Sequence, residues 1–283
     1  MRIYSRNGEY LEEYEYLEGL LSFLYNTVIG RILLKNIVIK PWFSKWRGNY
    51  YNSERSKKDI VPFVEKNNID ISEWNVSDFK TFNEFFRRKK ELNIVCDKTD
   101  LISIADSKLS VFKIDSDLIL KIKKSVYSIE DIVSKKEIAD EYRNGTCLVF
   151  RLGVDDYHRY IFLDNGKIVD NYKIDGELHT VRSISEKYNV FSRNSREISL
   201  LRTETMGDVV QVEVGALIVG DIKNNEKVEF LKGEEKGYFE YGGSTIVLLF
   251  KEGAISVAED IVEQSKLGIE TKVSIGEKIG VIC

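Results

Sequence analysis

Acid–base chemistry has few places to sit in this chain of 283 residues. It holds two histidines, His158 and His179, and three cysteines, Cys96, Cys147 and Cys283. The cysteines are odd in number, widely spaced and without a CxxC pair. Neither a disulfide framework nor a zinc knuckle is encoded, and the compartment reads as reducing. Two histidines are too few for a histidine-rich site, so no metal is expected. Neither GxGxxG nor GxxxxGK occurs, which removes the glycine-rich phosphate cradles. Taken one at a time, His158 reads as a packed histidine near a strand end and Asp106 as a turn carboxylate. Gly242-Gly243-Ser244-Thr245 alone reads as an ordinary turn before a buried strand.

The charge says more about partners. With 42 Lys and Arg against 46 Asp and Glu, the net charge is −4. That balance excludes an acidic disordered tail and a polycation that coats nucleic acid, so no nucleic-acid partner is expected. The distribution is uneven. Residues 31–58 hold eight bases against Glu54 alone, and Trp42, Phe43 and Trp46 lie among them. Apolar bulk, interfacial aromatics and bases on one segment suit an anionic lipid surface. The same residues also describe a helix that packs its apolar face on its own domain and leaves its bases in water. The N-terminus carries acids where an export signal would carry its apolar core, so no such signal is expected. The charge-free stretch over residues 19–30 is short of the roughly 20 apolar residues a spanning helix needs.

Two kinds of element must position these residues. From residue 9 to 92 the pattern is mainly helical, broken at Pro41, with cap-like starts at Asp70 and Ser77. From about residue 99 the period changes to two. Residues 210–214 alternate as a strand with one wet face should, and residues 246–250 form a short apolar run suited to a buried strand. The expected fold class is α+β: a helical part over residues 1–92 on a glycine-turned, β-rich part over residues 93–283. One internal echo stands out, Lys232-Gly233-Glu234-Glu235-Lys236-Gly237 against Ile275-Gly276-Glu277-Lys278-Ile279-Gly280.

Four stretches, in order, carry a family likeness. They are Thr81-Phe82-Asn83-Glu84-Phe85-Phe86-Arg87-Arg88, Asp156-Tyr157-His158-Arg159, Val214-Gly215-Ala216-Leu217-Ile218-Val219-Gly220, and the run from Lys232 through Gly243-Ser244-Thr245. From about Phe23 to Gly280 the chain resembles the phosphatidylserine decarboxylase proenzymes. The resemblance implies self-cleavage between Gly243 and Ser244, giving a large chain 1–243 and a small chain 244–283. It implies that Ser244 becomes a covalent pyruvoyl group, which takes the substrate amine and serves as an electron sink for loss of carbon dioxide. The implied substrate is phosphatidylserine and the product phosphatidylethanolamine. The implied setting is peripheral, on the cytoplasmic face of a membrane, with Trp42, Phe43 and Trp46 as contacts and a homodimer as a further partner. Beside it stand two alternatives: a non-catalytic, membrane-binding relative, and a pyruvoyl enzyme for a soluble amino acid.

The implied catalytic residues are Asp106, His158 and Ser244. In the family a second histidine, three residues after the first, joins an Asp–His–Ser relay for self-cleavage. Here Ile161 fills that position and cannot accept a proton; Ser107 and Val154 are further departures. Either His158 or His179 substitutes as the base, or maturation is slow or lost.

Overall fold

The computed structural model describes residues 2–13, 17–122, 125–217, 221–242 and 244–283. Ten strands form one sheet, in the order Glu229–Phe230, Gly166–Ile174, Arg196–Thr203, Asp208–Val214, Ser244–Phe250, Thr146–Leu152, Ser107–Lys113, Glu270–Val273, Arg2–Ser5 and Tyr10–Glu12. All neighbours run antiparallel except Arg2–Ser5 beside Glu270–Val273. The apolar run expected at residues 246–250 is the heart of this sheet. Ser244–Phe250 is buried throughout, because both faces are covered. Phe150, Leu152, Ile246 and Leu248 belong to one apolar cluster, while Val149, Val247 and Leu249 belong to another.

Two expectations need correction. The helical part does not begin at residue 9: Arg2–Ser5 and Tyr10–Glu12 are edge strands of the sheet, and the first helix is Glu18–Asn26. Nor does Asp208–Val214 have a wet face. Gln211 and Glu213 are buried, and Glu213 accepts from Gln211 Nε2 at 2.8 Å and from Lys236 Nζ at 2.7 Å. An alternating strand can turn its polar residues inward when a buried cation and amides satisfy them.

The helices behave as their residues dictate. Thr27 caps Val28–Leu33 by accepting from Gly30 N–H at 2.9 Å. Gly30 lets this helix pack on the first, since a Cβ there would lie 2.0 Å from Phe23 O. Pro41 opens the helix Pro41–Tyr51, where its missing N–H costs nothing. Ser77 is not a helix cap. Asn75 caps the 3₁₀ turn Val76–Asp78, and Thr81 caps Phe82–Phe86, so the basic run 87–90 lies beyond the helix. Among the described residues, no helix is long and apolar enough to cross a membrane.

The short echo proves to be a repeated structural unit. Gly233 and Gly276 share left-handed φ values of 85° and 81°, and both press on Ile94. Gly233 N–H and Glu234 O bond the backbone of Phe162; Gly276 N–H and Glu277 O bond the backbone of Ser103 in the same way. Each glutamate carboxylate accepts the N–H three residues before it, from Leu231 and Ser274. Each turn then leads into the middle strand of a three-stranded sheet, Glu235–Phe239 or Lys278–Ile282.

Candidate active site

The site is assembled around the segment that leads into Ser244–Phe250. Ser244 pairs with Leu152, is fully buried, and its Oγ has no hydrogen-bond partner among the described residues. Gly242 has φ 130°, in the region an L side chain rarely enters, so glycine is required there. Gly243, on which the expected cleavage bond falls, lies outside the described residues, as do Ile218, Val219 and Gly220 of the third motif. A cavity of about 60 Å³ borders this segment, lined by Gly242, Tyr241, Leu152 and Gly153 together with Leu17 and Leu21 from the helical part.

The Phe82–Phe86 helix holds the segment in place. Thr81 Oγ1 accepts from Glu84 N–H, and the Glu84 carboxylate returns to Lys80 N–H, a reciprocal cap that fixes the helix start. Buried Asn83 then accepts from Tyr241 N–H at 3.2 Å and donates to Asn52 Oδ1 at 3.0 Å. Phe82 and Phe86 press their rings on Tyr241, with centroids 4.8 and 5.1 Å away. Phe86 also lies 4.2 Å from the His158 ring. Three of the four motifs therefore meet at one place.

His158 is wholly buried. Its Nδ1 lies 2.9 Å from Asp156 O, a carbonyl that can only accept, so Nδ1 carries the proton. Burial lowers the pKa to about 3, which leaves the ring neutral. The Nε2 has no hydrogen-bond partner among the described residues. The neutral ring therefore has one nitrogen able to accept a proton.

The loop bearing His158 leaves the strand at Leu152, the partner of Ser244, and a charge network that sequence reasoning missed anchors it. Lys108 Nζ reaches Asp156 at 2.8 Å and Asp155 at 3.2 Å. Asp156 also accepts from Gly153 N–H at 2.6 Å. Burial pushes the Asp156 carboxyl up to about 6, against the pull of Lys108. Burial opposes the Lys108 charge, but Asp156 and Asp155 outweigh it and raise its pKa. Arg151, beside Lys108 in the sheet, is held by Glu13 at 3.0 and 2.9 Å and by Glu270 at 2.8 Å. The doublet Asp155-Asp156 was a visible signal for part of this network; Lys108, Arg151 and Glu13 left none.

The remaining expected residues fall as follows. Asp106 accepts from Lys90 Nζ at 3.1 Å and from Ile275 N–H at 2.6 Å. Ile161 donates its N–H to Ile104 O, two residues from Asp106, and its side chain is buried in the apolar cluster that includes Leu152. The position of the family's second histidine is thus brought close to Asp106, but an apolar side chain fills it. His179 sits in a different setting, with Nδ1 3.1 Å from Tyr25 OH, Nε2 3.3 Å from Glu177 and its ring stacked on Tyr188. Both its nitrogens are engaged.

On the helical part, Trp42 and Trp46 are 58% and 61% exposed, with the half-buried Phe43 between them. Val28, Ile29 and Ile32 are as exposed as the tryptophans. Their signal was a run of adjacent apolar residues too wide for one buried face.

A family model described as phosphatidylserine decarboxylase matches residues 79–281. The phosphatidylserine decarboxylase proenzyme 2 of Clostridium acetobutylicum is 50% identical over 272 residues, covering 95% of this chain and 94% of that protein. The phosphatidylserine decarboxylase proenzyme of Clostridium beijerinckii is 39% identical over 292 residues, covering 99% and 98%. That of Clostridium botulinum strain 657 is 42% identical over 287 residues, covering 97% of each. By motif order and by similarity over nearly its whole length, the chain belongs to the phosphatidylserine decarboxylase family.

Proposed function

We propose that this protein is a proenzyme that cleaves itself between Gly243 and Ser244 and, as a peripheral membrane enzyme, decarboxylates phosphatidylserine to phosphatidylethanolamine. One observation carries the reading: Phe86 packs both on buried neutral His158 and on Tyr241, three residues before buried Ser244, and neither His158 Nε2 nor Ser244 Oγ has a hydrogen-bond partner among the described residues. Orphaned buried polar atoms are costly, so a pair of them at one place points to chemistry.

In the cleavage step Ser244 Oγ attacks the carbonyl carbon of Gly243, and the peptide C–N bond gives way to an ester. Elimination then breaks the ester, leaving a carboxylate on Gly243 and a dehydroalanine at 244. Water converts that residue to a pyruvoyl group with loss of ammonia. We assign the role of base for Ser244 to His158, because both nitrogens of His179 are engaged and Ile161 has none to offer. The residues present fit the pyruvoyl group: Gly242 takes the backbone turn, and position 244 lies buried at the start of its strand. That carbonyl supplies the electron sink for decarboxylation. Arg151, Lys108 and Asp156 hold the loop that presents His158. Asp106, placed by the resemblance in the self-cleavage relay, has its carboxylate turned to Lys90 and Ile275 instead; we give it the task of fixing that corner of the site.

The membrane reading rests on the exposed apolar residues of the helical part and the bases beside them, such as Arg31 and Lys45. Leu17 and Leu21 of the same part line the cavity at Gly242, so a lipid held there is near the site. Intact mass under denaturing conditions tests the whole proposal. Wild type should give two chains split at 243/244, with the small one blocked, and should convert phosphatidylserine. Ser244→Ala should stay uncut and inactive. Activity in the uncut variant would overturn the pyruvoyl mechanism.

A further inference from the structure

Arg88 is a poorly compensated cation beside the site. The residue is 7% exposed, and its Nε has no acceptor among the described residues. Among the described residues the guanidinium makes one hydrogen bond, from Nη1 to Phe85 O at 3.5 Å, the limit of such contacts. Among the described residues, no carboxylate pairs with it. Asp106, an acid of this corner, is taken by Lys90 and the Ile275 N–H. The guanidinium instead lies over the rings of Trp74 and Phe85, 5.0 and 4.9 Å from their centroids. Aromatic contact on the faces of a guanidinium holds its plane and leaves its edge N–H groups available. Burial lowers its pKa, and the nearby charges of Asp106 and Glu73 do not offset it.

The residue is also well placed. Phe86, two positions earlier, packs at a tilt on the His158 ring, and Arg159 Nε donates to the carbonyls of Arg87 and Arg88 at 2.8 and 3.2 Å. A buried guanidinium with an unpaired fork next to a catalytic histidine is a receptor for an oxyanion.

We propose that Arg88 binds the phosphodiester of the phospholipid substrate. The inference rests on the decarboxylase reading, which supplies an anionic lipid. The substrate offers two oxyanions, and the chemistry chooses between them. The carboxylate must leave as neutral carbon dioxide, so pairing it with a buried cation would stabilise the ground state over the transition state. The phosphodiester keeps its charge throughout, and binding it lowers KM without opposing the reaction.

The test is calorimetric binding of two soluble probes to the full-length protein, as wild type, R88Q and R88K. Dihexanoyl phosphatidylglycerol carries the phosphodiester without amine or carboxylate; N-acetylserine carries the carboxylate alone. R88Q should bind the first probe roughly tenfold to a hundredfold more weakly, the loss expected for a charge-assisted hydrogen-bonded pair. R88K should fall between, and N-acetylserine binding should not change. Should R88Q fail to fold, R88K decides, since it keeps the charge and loses only the fork. Equal affinity of wild type and variants for phosphatidylglycerol, no binding by wild type, or a loss confined to N-acetylserine would each overturn the proposal. Binding needs no turnover, so an inactive wild type would refute the decarboxylase reading while this result stayed readable.

Discussion

In the proposed mechanism His158 concentrates the acid–base chemistry in one ring. Its Nδ1 proton is committed to a backbone carbonyl, which leaves one nitrogen to act. Replacing it with alanine should slow self-cleavage by about 10²–10⁴-fold, the usual worth of a positioned base, whereas His179→Ala should cleave as wild type does. A time course of intact mass separates the two, and rapid cleavage of His158→Ala would remove it from the role. The same ring makes a stability prediction. Its folded pKa of about 3 lies below the ordinary 6.5, so its contribution is complete above pH 6.5 and is lost as pH falls toward 3. Asp156, held at about 6 instead of 3.8, acts in the opposite sense: its ionisation costs stability as pH rises through that window. His158→Gln removes the first effect and keeps the second. Urea midpoints from pH 7 to 4 should show the variant gaining on wild type, by up to about 1.4 kcal/mol per pH unit. A constant gap would count against a buried neutral histidine.

At the scale of elements, the Phe82–Phe86 helix clamps the residues before Ser244. Asn83→Ala leaves Tyr241 N–H and the Asn52 amide without their partner, which should cost about 1–3 kcal/mol and slow cleavage as well. Denaturant midpoints and the mass time course check the two effects; lost stability with unchanged cleavage would make the clamp merely structural. Much of this level could be read from residue order. The buried run 246–250, the break at Pro41 and the paired glycine turns all stand where their local chemistry put them. Local chemistry also explains what escaped notice. Arg2–Ser5 and Tyr10–Glu12 are too short to show a period, and they are strands because Glu270–Val273 offers an edge. Lys108 and Glu213 look like solvent-facing residues of their strands until partners 23 to 48 positions away meet them. Asp106 and Ser244 could be named from motif order, but the lysine that occupies one and the missing partner of the other are facts of packing.

For the whole molecule, the helical part is an apolar face beside cations, and the sheet is a scaffold that carries the site. Binding to anionic vesicles should weaken as salt rises, because exposed charges are screened within roughly 8 Å at physiological ionic strength. Trp42→Ala with Trp46→Ala should weaken it at low salt too, and Val28→Ser with Ile29→Ser should do the same. If vesicle sedimentation is unmoved by all three changes, the face has another purpose. The position of Ser244–Phe250 in the middle of the large sheet carries a last consequence. Before cleavage, refolding is a first-order search by one chain. If the chain is cut as proposed, the same strand would have to arrive from a separate forty-residue fragment, residues 244–283, so reassembly would become second order and fail on dilution. The uncut Ser244→Ala protein should regain structure from urea at any concentration, while the cut protein should do so only when concentrated. Maturation would thereby convert a reversible fold into one that persists only because it never comes apart.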